Sequence, residues 1–210
     1  MSSFIGVAFE IIVILFSVVL HEVAHGVMAY SLGDTTAKDA GRLTLNPFKH
    51  LDLVGSVLLP VFLLAVGAPV FGYAKPVPYN PLNLRDRKFG PAKVALAGPL
   101  TNLVLAVLAG FVLRFLPFSL WGDSIFPNLL AGIVQINLLL AIFNLMPIPP
   151  LDGHWLFITL LPHRFENFKI FILRYSIIIF IVFLIFIFPA ILPLINFLFK
   201  AIVGKLVRML

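Results

Sequence analysis

A chain of 210 residues that is 61% hydrophobic and 11% charged, with a mean hydropathy of +1.09, is not a soluble globular domain, which carries roughly 25% charged residues. Its formal net charge of +6 is spread over loops, so it speaks to membrane orientation and not to nucleic acid. The absence of cysteine excludes disulfides and thiolate metal sites. The expected fold is an all-α polytopic membrane protein with about 4–6 membrane-embedded helices, since a span needs about 20 apolar residues and several runs qualify. One integral-membrane domain over residues 1–210 is expected, with a core at about 4–162 and a C-terminal helical region at about 163–210.

The first helix is expected from about residue 4 to about residue 31, with Gly33-Asp34 as its stop. MSSF has no basic n-region or A-x-A-like site, so this run reads as a retained span and not as a signal peptide. Polar residues follow, and a small β-prone element is expected between the first and second core helices, at RLTL (42–45) or GYAKPVPY (72–79). Between them, residues 53–71 are apolar but short, and Pro60 and Pro69 interrupt them. Spans are expected at 91–116 and at about 125–146, the latter ending in MPIPPLDGH. A last apolar stretch at 170–199 is expected to kink near Pro189 and Pro193. Residues 194–210 read as an interfacial helix or a short hairpin arm.

The first helix carries His21, Glu22 and His25 in the sequence HEVAH. Histidines at i and i+4 stack on one helix face and can share one metal ion, while the glutamate between them can act as general base on a metal-bound water. Charged residues deep in a span cost on the order of 2.5–3.5 kcal/mol, so they persist where they have partners or work to do. A catalytic zinc usually takes three protein ligands. Asp34, Asp39, Asp52, Asp86 and Asp123 lie in loops, whereas Asp152 follows 27 uncharged residues in a proline-broken turn at membrane depth. Such backbone is tolerated there only when it is buried in protein or lines a wet cavity, and a carboxylate in that setting suits a cation.

HEVAH together with NLMPIPPLDG (144–153), AGPLTN (97–102) and the GYAKPVP segment resembles the site-2 proteases, intramembrane zinc metalloproteases. No PDZ-like insert is seen, so the likeness is to a minimal member. The resemblance implies one Zn²⁺ per chain, with His21, His25 and Asp152 as ligands and Glu22 as the base. It implies a substrate or oxyanion contact for Asn144. It also implies cleavage of membrane-spanning substrates in regulated intramembrane proteolysis. His154 stands where many members have glycine; it is expected at the aqueous edge, or else near the metal. Asn102 is expected to staple two helices or to bond the active-site turn. Gln135 and Asn137 are expected to make interhelical hydrogen bonds, and Glu10 to lie near the membrane surface.

Two other classes compete: a metal-binding transporter, and an inactive relative that binds membrane helices. No second copy of the His/Asp set is present, against the repeats common in transporters. Glu22 argues against the inactive relative. Partners are then a membrane-spanning protein substrate and the bilayer. For His21, His25 and Asp152 to meet, the helix before Asp152 must run parallel to the first, so residues 53–71 are expected to enter the membrane and return. Lys38, Arg42, Lys49, Lys75, Arg85, Arg87, Lys88 and Arg164 then share the metal side, against Arg114 opposite. The positive-inside rule places a multi-pass cell-membrane protein with its active site toward the cytoplasm. An exposed edge at RLTL or GYAKPVPY is expected to capture an unwound substrate by strand addition.

Overall fold

In a computed structural model of the chain, residues 3–67, 72–117 and 125–204 are described, and Asp123 and the end of the tail fall outside them. Four helices among the described residues are long and apolar enough to cross a membrane: Ile5–Ser31, Gly90–Arg114, Phe126–Asn144 and Ser176–Val203.

Helix α1 (Ser3–Ser31) carries no glycine or proline between Val7 and His25. It stops at Gly33, whose φ of +105° lies in the region that favours glycine. The Gly33 amide donates to the Tyr30 carbonyl at 3.0 Å and the Asp34 amide to the Ala29 carbonyl at 3.0 Å, which closes the helix end in a Schellman turn. The short helix α2 (Thr36–Asp39) follows.

Asp34 is fully buried and ties the two polar loops together. It accepts from Thr36 Oγ1 at 2.5 Å, from the Asn80 amide at 2.7 Å and from Asn83 Nδ2 at 3.0 Å. Burial pushes its carboxyl up, but the hydrogen bonds from Thr36, Asn83 and Asn80 outweigh that and hold it below the ordinary carboxylate value. Arg42 adds a second tie, donating from Nη2 to the Lys75 carbonyl at 2.8 Å.

A π turn at Leu53–Leu58 leads into α3 (Leu59–Ala65). Together they extend about 20 Å, short of the roughly 30 Å hydrocarbon core. The chain then returns: the Tyr73 amide donates to the Gly55 carbonyl at 3.0 Å, and Ser56 Oγ donates to the Tyr73 carbonyl at 2.9 Å. Residues 55 and 73 therefore sit side by side. Gly55 permits this approach, because a Cβ there would collide with the Tyr73 ring.

Residues 72–80 form neither helix nor strand, and no β-ladder forms among the described residues; RLTL is an irregular bend. The amides of 73, 75 and 77 alternate inward, to Gly55 O, His50 O and Glu22 Oε2. On the outward edge Pro76 and Pro78 have no N–H, so among residues 73–79 only Ala74 offers a donor there.

Helix α4 (Gly90–Arg114) is the centre of the bundle and packs on α1, on α5 (Phe126–Asn144), on α6 (Gly153–Leu160) and on α9 (Phe188–Val203). Ala106, Gly110 and Leu113 of α4 are buried, and small residues here let helices approach closely. The last apolar stretch is divided into α7 (Glu166–Arg174), α8 (Ser176–Val182), a π turn at Phe183–Ile187 and α9. The π turn stands just before Pro189, whose missing N–H removes a helical hydrogen bond. Residues 194–203, expected as an interfacial helix or a short hairpin arm, instead extend α9: Ile195, Phe199 and Val203 are buried against Ala106, Leu130, Val134 and Leu138. Their apolar spacing of four residues fits a helix face in the core as well as one on a membrane surface.

Candidate metal centre

The carbonyls that receive the histidine rings decide the chemistry of this site. His25 Nδ1 lies 2.7 Å from the Val94 carbonyl oxygen, which can only accept, so Nδ1 is the protonated nitrogen. His21 Nδ1 lies 2.6 Å from Asn102 Oδ1. The orientation of that amide follows from its other end, where Asn102 Nδ2 donates to Asn137 Oδ1 at 2.9 Å and to the Ser17 carbonyl at 3.3 Å. His21 is therefore also protonated on Nδ1. Both Nε2 atoms carry lone pairs.

The two Nε2 atoms face each other at 3.0 Å. Asp152 Oδ2 is 2.9 Å from His21 Nε2 and 3.3 Å from His25 Nε2. Three electron-rich acceptors thus converge with no donor among them. An arrangement of that kind is stable only with a cation at its centre or with added protons. Ligands of a tetrahedral metal with bonds of about 2.0–2.1 Å stand roughly 3.3 Å apart, so the spacing fits such an ion with modest opening. Space for it is provided by Gly98 on α4: a Cβ there would lie 2.5 Å from His25 Nε2 and 2.6 Å from His21 Nε2. The histidines themselves are buried, at 6% and 8% exposure, so the ion would be largely shielded from bulk water.

Glu22 stands beside this cluster. One of its carboxylate oxygens and one ring nitrogen from each histidine lie within 4.8 Å of one another. Glu22 Oε2 accepts the Val77 amide at 2.8 Å. Pro76 and Pro78 flank Val77, so that amide is the only N–H in residues 76–78. Asp152 is brought up by the turn between α5 and α6. Gly153 permits the turn, since a Cβ there would overlap the Leu145 and Met146 carbonyls.

Asn102 joins helices, one of the two roles expected for it, and it also holds His21. Asn144, at the end of α5, donates to the Leu140 carbonyl at 3.0 Å. His154 is not at an aqueous edge. It is 7% exposed, and its Nδ1 donates to the Leu151 carbonyl at 2.6 Å, which braces the Asp152 turn. Asp34 and Asp86, two of the loop carboxylates, are engaged elsewhere, Asp34 by the loop amide of Asn80 and Asp86 by Lys93 of α4. The Val94 carbonyl and the Val77 amide carry no side-chain signal that a motif search could read, whereas Gly98 lies within AGPLTN.

The sequence profile of peptidase family M50 matches residues 119–187. A protein of Bacillus subtilis (strain 168) named "Putative zinc metalloprotease YwhC" is 38% identical over 159 residues, which cover 72% of this chain and 68% of that protein. The similarly named Rip2 of Mycolicibacterium smegmatis is 35% identical over 156 residues, 72% of this chain and 57% of its own length. MJ0611 of Methanocaldococcus jannaschii, with the same description, is 51% identical over 63 residues, 29% of this chain and 30% of that protein. No solved structure matches.

Proposed function

This chain belongs to peptidase family M50, and from that footing we propose that it is a zinc-dependent endopeptidase that hydrolyses peptide bonds of membrane-spanning proteins. The observation that carries the reading is the meeting of His21 Nε2, His25 Nε2 and Asp152 Oδ2 beside Glu22. These three atoms would hold the zinc. Bound there, zinc supplies a Lewis acid that polarises a scissile carbonyl and lowers the pKa of water.

The protein groups do the rest. Asn102 and the Val94 carbonyl hold the two rings in one tautomer, so that both Nε2 lone pairs stay directed inward. Glu22 takes a proton from water and returns it to the leaving amine. The Val77 amide anchors one carboxylate oxygen and leaves the other for that transfer. Asn144 uses one N–H on the Leu140 carbonyl, and its second N–H would serve a substrate carbonyl.

The test is cleavage of a membrane-spanning reporter by the purified full chain in liposomes. Fragments should appear, vanish after a zinc chelator and return with added Zn²⁺. Cleavage that survives complete metal removal contradicts the assignment.

We further propose that the metal side faces the cytoplasm, because the basic loop residues gather there. Single cysteines at Thr44 and Asn83 should both react with an impermeant thiol reagent from the cytoplasmic side. Reaction from opposite sides would contradict the re-entrant hairpin, and reaction of both from outside would reverse the orientation.

A further inference from the structure

A second polar cluster lies at the other end of the bundle. Helices α1, α5 and α9 border a cavity of about 380 Å³ lined by Glu10, Asn128, Gln135, Asn196 and Lys200. Glu10 stands seven residues inside α1, Gln135 nine inside α5, and Asn196 seven before the end of α9. At 1.5 Å per residue these side chains lie roughly 10–13 Å in from their helix ends. None of the five side chains has a hydrogen-bond or ion-pair partner among the described residues, although Glu10 and Lys200 line the same space. All five residues are exposed, so a polar group at the membrane boundary can reach them.

We propose that this cavity binds the headgroup of a phospholipid that carries a primary ammonium. The ammonium would donate to Glu10 and to the carboxamide oxygen of Gln135. The phosphate would accept from Lys200 and from the amide N–H groups of Asn196 and Asn128. One anion and one cation that do not pair with each other complement a zwitterion. Ile11 and Phe197, beside these polar residues on α1 and α9, are 59% and 66% exposed and offer apolar surface to the acyl chains. A second copy of the chain is a poorer occupant. A two-fold contact sets the same patch against itself, and a cavity facing a cavity leaves a void.

The test is native mass spectrometry of the full chain in detergent, with phosphatidylethanolamine, phosphatidylcholine or phosphatidylglycerol added. Phosphatidylethanolamine should bind about tenfold more tightly than the other two, because one lacks the ammonium N–H and the other lacks the ammonium. Glu10→Gln should abolish its preference over phosphatidylglycerol, and Lys200→Gln should weaken both about tenfold, the loss of one charge-assisted bond. Circular dichroism should show both variants folded. Equal binding of the three lipids, with variants that behave as wild type, overturns the proposal. So does equally tight binding of free phosphoethanolamine, which would place the ligand in water. A dimer that requires Glu10 and Lys200 also overturns it. The readout needs neither zinc nor cleavage, so its failure leaves the protease reading untouched.

Discussion

Glu22→Gln is expected to leave zinc bound and to lower the cleavage rate by about 10²–10⁴-fold, the usual contribution of a positioned general base. The replacement is nearly isosteric. Its amide oxygen can still accept the Val77 N–H, so the local geometry at α1 survives. The ligand atoms belong to other residues, so metal content should not change. What is lost is the ability to take a proton. Cleavage rate and zinc content measured on the same preparation separate the two effects. A Gln variant that cuts at the wild-type rate removes Glu22 from the chemistry.

Gly98→Ala is expected to cost the metal site while sparing the fold. On propensity alone the change favours α4 by about 1 kcal/mol, since alanine is the better helix former. Against that, the new Cβ would sit 2.5–2.6 Å from both Nε2 atoms, inside van der Waals contact. Either the imidazoles turn away or α4 shifts from α1. A misplacement of about 1 Å at a reacting centre can cost on the order of 100-fold, so loss of activity dominates the small gain in helix stability. Zinc content should fall with it, while circular dichroism stays helical. Gly6→Ala is the control, because nothing lies within 4 Å of its Cβ. Wild-type zinc and rate in Gly98→Ala would show that the site is roomier than the geometry implies.

The spans and the two halves of the site were legible because each rests on a local rule. His21 and His25 share a face through the helical period, and Asp152 announced itself as a lone charge after a long apolar run. That residues 55 and 73 lie together agrees with an expectation drawn from length and from the direction in which two helices must run. The partners that orient these residues were not legible. Asn102 meets His21 across 81 positions and Val77 meets Glu22 across 55, and helical periodicity says which face a residue occupies but not what packs against it. His154 looked like an edge residue because histidine is polar, yet it is buried, with one nitrogen spent on the Leu151 carbonyl. The π turn at Phe183–Ile187 falls beside Pro189, where a kink was expected, whereas the break between α7 and α8 at Tyr175 has no proline or glycine to announce it.

The convergence of three acceptor atoms on one ion is tested most directly by metal analysis of the purified full chain beside Asp152→Ala. About one zinc per chain is expected in the wild type, in line with a three-ligand site, and a small fraction of that in the variant. Stoichiometric zinc in Asp152→Ala would remove this carboxylate from the ligand set and contradict the site described here.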